Sequence, residues 1–159
     1  MKRIISIFGA LLLASMAFSC CNTQSTFKEC DNNPDTDWFQ EAKVGAFMHF
    51  LTGADNFDLV EKFDVVALAD QLEKAGVKVF EITLGQNSGY FNAPNPVYDE
   101  ISGYKAGERT STRDLPMELA KELKKRGISL MLYLPCQTPN RDEQAITNFG
   151  FNKDDPSSD

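Results

Sequence analysis

Between Gly85 and Phe91 the chain carries more hydrogen-bonding capacity than a connecting loop requires. Gly85-Gln86-Asn87-Ser88-Gly89-Tyr90-Phe91 combines two amides, a hydroxyl and two aromatic rings, directly after the apolar run "VKVFEITL". A turn needs its glycines and a small polar residue. Two adjacent amides, each able to donate and accept, exceed that need. His49 is the chain's only histidine and closes another apolar run, "AKVGAFMHF". On spacing alone it reads as a hydrogen-bonded core residue. Glu81 lies inside an apolar run, where a carboxylate is costly unless it meets a polar partner or a wet cavity. Asp99 and Glu100 read as solvated loop charges, and Arg109, Arg113 and Asp114 as a local ion-pair or capping cluster.

Other chemistries lack their residues. One histidine and scattered cysteines do not have metal-ligand spacing, so no metal is expected. "FLTGADNFD" has a single glycine where a nucleotide-binding loop needs several, and "GQNSGY" has the wrong spacing for a nucleophile elbow. No cofactor is implied. With 16 basic against 23 acidic residues the formal charge is −7. The one basic cluster, "KELKKR", reads as the solvated end of a helix. Phosphate neutralisation needs clustered positive charge, so nucleic acid is not an expected partner.

The elements that must position these residues follow a repeated grammar. "AKVGAFMHF" reads as a first strand ending near His49-Phe50. In "DVVALADQLEKAG", Val65, Leu68, Ala69, Leu72 and Ala75 share one helix face, with Asp64 as N-cap and Gly76 as terminator. "VKVFEITL" follows as a second strand. "RDLPMELAKELKKRG" places Leu115, Leu119 and Leu123 on one face, with an early Pro116 and a terminal Gly127. "ISLMLYLP" is a third strand. Near-continuous apolar strands alternating with amphipathic helices predict an α/β fold, a parallel sheet covered by helices. Doubly wound sheets and (β/α)8 barrels both fit, and both bind ligands beyond the carboxyl ends of their strands. His49, Thr83–Phe91 and Tyr133–Gln137 sit at those ends. The long connection from Gly85 to Thr112 is of a length found in functional or disordered loops, and its aromatic residues argue against disorder.

The N-terminus reads as a targeting segment. "MKR" and "IISIFGALLLASMAF" form a basic and then an apolar region, too short to span a bilayer comfortably. They run into Ser19-Cys20, which resembles the lipidation site of a bacterial lipoprotein. The expected organisation is a signal peptide at 1–19, lipidated Cys20, a polar tether at 20–37, a folded region at 38–151 and an unstructured tail at 152–159. The expected location is outside the cytoplasm, anchored to a membrane through lipid. Disulfides are permitted there, and Cys30 could pair with Cys136.

Three segments carry a family resemblance. "WFQEAKVGAFMHF", "ITLGQNSGYF" and "RDLPMELAKELKKRGISLMLYL" resemble, in order and spacing, the N-terminal part of the α-L-fucosidases of glycoside hydrolase family 29. Trp38, Phe39, Ala42, Lys43, Gly45, Phe47 and His49 match the family's opening motif, with Phe50 in place of its second tryptophan. The resemblance covers roughly Trp38 to Leu134 and implies the first three strands of a (β/α)8 barrel.

It also implies a glycan or glycoside substrate. His49, Gln86 and Asn87 would line the sugar subsite, with Tyr90 and Phe91 as stacking partners. Gln86 and Asn87 stand where the family has paired histidines that bind fucose hydroxyls. They can exchange hydrogen bonds with a sugar but cannot titrate near neutrality. Retaining glycosidases need two carboxylates about 5 Å apart, and the family draws them from later strands. A parallel barrel takes about 250 residues, so this chain of 159 reads as its front portion. No catalytic residue is assigned in it, and its partner is the remaining part of the barrel. The other readings are a surface lipoprotein that binds glycans without cleaving them, and the product of a broken gene.

Overall fold

The computed structural model describes residues 34–151. The expected signal peptide, Cys20, Cys30, most of the tether and the tail lie outside the described residues. Helix α1, Pro34–Ala42, takes in the last residues of the segment read as tether. Strand β1, Gly45–Met48, follows it. Then come α2, Leu59–Lys62, and α3, Val65–Lys74, before β2, Val79–Thr83. The long connection holds α4, Pro96–Ser102, and leads to α5, Leu115–Lys125. Strand β3, Ser129–Tyr133, precedes α6, Glu143–Phe149.

The caps form as the spacing predicts. Asp64 accepts the Ala67 amide at 2.9 Å and Asp114 accepts the Met117 amide at 3.0 Å, each satisfying a first-turn donor. Gly76 and Gly127 end α3 and α5 with φ of +74° and +65°, which a side chain would oppose.

The three strands form one parallel sheet in the order β1-β2-β3. Gly45 pairs with Val79 and Met48 with Ile82; Val79 pairs in turn with Ser129, and Thr83 with Tyr133. Paired residues of parallel strands share a face, and faces alternate along each strand. Ala46, Met48, Phe80, Ile82 and Leu130 therefore lie on one side. There they pack against Val65, Ala69 and Leu72 of α3 and Leu115, Leu119 and Leu123 of α5. The three α5 leucines are completely buried, each contributing roughly 1.5–3 kcal/mol of burial. Arg126 ties the two helices together through Asp70 and Glu73 on α3 and Glu122 on α5.

The other side carries Phe47, Glu81, Met131 and Tyr133, with no helix of the described residues against it except near α1. Phe47 is 53% exposed and Tyr133 39%. Such an open apolar face is what a barrel places in its interior.

Candidate functional site

The carboxyl ends of the strands are organised by a buried polar network. The Phe50 carbonyl, just past β1, accepts the Thr83 hydroxyl at 2.8 Å and the Gln86 side-chain amide at 3.1 Å. Asn92, 1% exposed, accepts the Thr52 hydroxyl at 2.9 Å and donates to the Thr83 carbonyl at 2.8 Å. Its backbone amide donates to Leu84 and its carbonyl accepts from Leu115. Thus the exits of β1 and β2 and the start of α5 meet at one asparagine.

The Gly85–Phe91 stretch folds back on itself. Gly85 and Phe91 form an antiparallel bridge, the Gln86 amide donates to Tyr90, and the Gly89 amide donates back to Gln86. Gly89 needs its φ of +79°. A β-carbon there would lie 2.5 Å from Tyr98 Oη and 2.8 Å from Asp142 Oδ2.

The expected site residues divide into two groups. His49 is exposed at the end of β1, one step beyond Met48 and on the same face as Phe47. Its ring lies 5.4 Å from that of Phe47 and 6.1 Å from that of Tyr133. It is therefore not the hydrogen-bonded core histidine that spacing alone suggested, because nothing described covers this face. Gln86 is buried, with its amide nitrogen committed to Phe50. Asn87 is half-buried; its backbone carbonyl accepts the Arg141 amide at 2.8 Å, while its side-chain Oδ1 is shielded from solvent with no partner among the described residues.

Tyr90 and Phe91 lie elsewhere. The Tyr90 ring packs edge-on against Phe57 and under the Arg109 guanidinium, whose Cζ is 4.4 Å from the ring centroid. Phe91 is buried against Tyr98 at 4.7 Å. Both rings support the loop from beneath, and His49 and Tyr133 are the rings left open at the strand ends.

The loop charges are more organised than composition suggested. Asp99 is buried, not solvated, and its carboxylate accepts the Thr110 hydroxyl at 2.8 Å, whereas Glu100 is exposed. Arg113 pairs with Glu118 at 2.7 Å and donates to the carbonyls of Val60, Glu61 and Phe63. It thereby satisfies the orphan carbonyls at the end of α2. Hydrogen bonding to Arg113 holds the Glu118 carboxyl below its ordinary value. Burial, reinforced by the Asp142 charge, pushes the Tyr98 phenol well above its ordinary value.

Glu81 has no partner among the described residues and lines a cavity of about 440 Å³ with Phe39, Lys43, Phe47 and Met131. That cavity opens at the amino ends of the strands, the end of a parallel barrel that serves stability. The strand-end group is the better candidate, since ligands of such sheets bind there. Among the described residues no group of three His, Cys, Asp or Glu could hold a metal ion. Cys136 is exposed and its thiol is free.

Fold and strand-end loops define an α/β chain whose open parallel sheet matches part of a (β/α)-barrel. The barrel it matches is that of α-L-fucosidases. A GH29 α-L-fucosidase from Bacteroides thetaiotaomicron superposes with a TM-score of 0.52 at 18% identity, over 74% of this chain and 35% of that one. A bacterial fucosidase bound to a monovalent iminocyclitol inhibitor gives the same figures. So, at 17% identity, does the Bacteroides thetaiotaomicron enzyme trapped as a covalent intermediate with 2-fluoro-fucosyl fluoride. The chain spans about a third of the length of these structures, and at these identities the likeness is one of fold. No protein-family model and no curated protein matches the chain.

Proposed function

We propose that this chain forms the front of an exported, α-L-fucosidase-like glycoside hydrolase barrel and supplies one wall of its sugar pocket. The observation that carries the reading is the position of His49. His49, the last residue of the stretch to match the family's opening motif, stands exposed at the carboxyl end of β1, beside Tyr133 at the end of β3. Imidazole and phenol offer hydrogen bonds to sugar hydroxyls, and the aromatic faces offer stacking to the apolar side of the ring. Asn87 and Gln86 border the same end of the sheet. Glu81 is the one carboxylate within the three strands, at the middle of β2, and it lines the cavity toward their amino ends. Hydrolysis with retention needs two carboxylates flanking one bond, so the chain alone binds without cleaving, and the partner that completes it is the remaining part of the barrel. Export rests on the N-terminal segment, with Cys20 carrying the lipid that holds the protein at a membrane.

Incubation of the full chain with 4-nitrophenyl α-L-fucoside, beside an NMR titration with methyl α-L-fucopyranoside, tests the reading. The expected result is no nitrophenol release, with shifts of His49 and Tyr133 signals that His49→Ala removes. Turnover by this chain would place a nucleophile among its own residues and overturn the proposal. Unmoved His49 and Tyr133 signals would overturn the sugar pocket. Mass spectrometry of the membrane fraction, with Cys20→Ser as comparison, tests the anchor separately.

A further inference from the structure

Arg109 occupies the space between the loop that follows β2 and the loop that follows β3. Its Cζ sits 4.4 Å above the Tyr90 ring and 4.8 Å from the Tyr104 ring centroid. Its Nη2 donates to Tyr104 Oη at 3.2 Å, and its Nε is 3.5 Å from Asp142 Oδ2, an ion pair rather than a hydrogen bond. Tyr104 Oη in turn donates to Asp142 Oδ1 at 2.9 Å. The Asp142 side chain is 2% exposed and also caps α6 through the Ala145 amide.

Two contacts carry this cluster to the amides above it. Arg141, the neighbour of Asp142, donates its backbone N–H to the Asn87 carbonyl. Asp142 Oδ2 presses against Gly89 so closely that a β-carbon there would be 2.8 Å away. The Gln86–Gly89 turn is thus held from below by Tyr90 and from the side by Asp142, and Arg109 touches both. A guanidinium suits this place because it is planar, always charged, and stacks on aromatic faces while donating in its plane.

We infer that Arg109 is a positioning residue, a clamp between the two strand-end loops that sets where Asn87 and Gln86 stand for a hydroxyl-bearing ligand. The inference rests on the sugar-pocket reading for its ligand, but not for its geometry.

Hydrogen exchange of the full chain, with methyl α-L-fucopyranoside as binding probe, tests it in Arg109→Ala, Arg109→Lys and Tyr104→Phe. In R109A the Arg141 amide exchanges at least tenfold faster, while the β2 amides, Val79–Thr83, keep their protection. The methyl fucoside affinity falls at least fivefold, and R109K, which keeps the charge but not the planar stack, recovers part of it. Y104F moves both readouts the same way by less, and it carries the comparison should R109A not fold. Unchanged Arg141 exchange in R109A, or β2 amides released as much as Arg141, would overturn the clamp. If the unaltered chain binds no methyl fucoside, the sugar reading falls and the exchange comparison alone decides the clamp.

Discussion

Replacing Asn92 by alanine tests whether the polar network beneath the strand ends holds the β2 exit in place. The side chain is almost fully buried and makes two hydrogen bonds, one from Thr52 and one to the Thr83 carbonyl. Alanine leaves the Thr52 hydroxyl without its acceptor and Thr83 without its side-chain donor. A buried polar group left unsatisfied costs about 1–3 kcal/mol, so the pair costs roughly 2–6 kcal/mol. Against a total stability of about 5–15 kcal/mol, that is a large fraction. With a urea dependence of about 2 kcal/mol per molar, the unfolding midpoint should fall by roughly 1–3 M.

Asn92→Asp adds a pH arm to the same experiment. It keeps the acceptor for Thr52 but turns an oxygen toward the Thr83 carbonyl. Burial and that carbonyl raise the acid's folded pKa above its ordinary value near about 3.9. The unfolded chain then releases its proton first as pH rises, so stability falls across the window between the two values. N92D should be weaker at pH 7 than at pH 4, the reverse of ordinary acid denaturation. Equilibrium urea unfolding followed by circular dichroism reads both effects. A midpoint shift below about 0.3 M for N92A at unchanged urea dependence would refute the account of Asn92 as the joint of the strand ends.

Gly89→Ala should lower stability by more than about 1–2 kcal/mol, since it adds a left-handed alanine to the contacts with Tyr98 and Asp142. A thermal melt should show a loss of at least about 4 °C. Arg113→Lys should cost about 1–2 kcal/mol, because a single ammonium cannot serve three α2 carbonyls and Glu118 together; urea unfolding measures it. Glu118, held below its ordinary pKa by Arg113, contributes stability above its unfolded pKa that is lost as pH falls through the folded value. Glu118→Gln should therefore lose less stability than the unaltered chain between pH 5 and pH 3, by a small margin because the side chain is half exposed.

The strands and the two longer helices were legible because their signals are local and repeated. Apolar runs, four-residue spacing of leucines and a glycine after each helix suffice to place them. The capping aspartates were legible for the same reason. The short helices α4 and α6 were not, since seven residues complete only two turns and show no persistent face. Asn95 as N-cap, Pro96 at the first turn and left-handed Gly103 were the available signs of α4. Asp99 looked solvated because its partner, Thr110, is brought to it only by the fold of the long loop. The same limit applies to Tyr90 and Phe91, whose residue types suit stacking on a sugar while their rings are packed under the loop. Tyr133 is the converse, a residue placed at a strand end by the sequence but given no part in a site until the sheet register set it beside His49.

The spatial order β1-β2-β3 is also the order of synthesis. β2 and β3 each emerge from the ribosome with their neighbour in this sheet already made. Asn92 follows β2 closely, so the joint between the first two strands can close before α5 has been translated. Asp142 comes after all three strands, so the contact between the two loops can form only once β3 has been translated. The loop that carries Gln86 and Asn87 is thus braced upon three strands that are already translated beneath it.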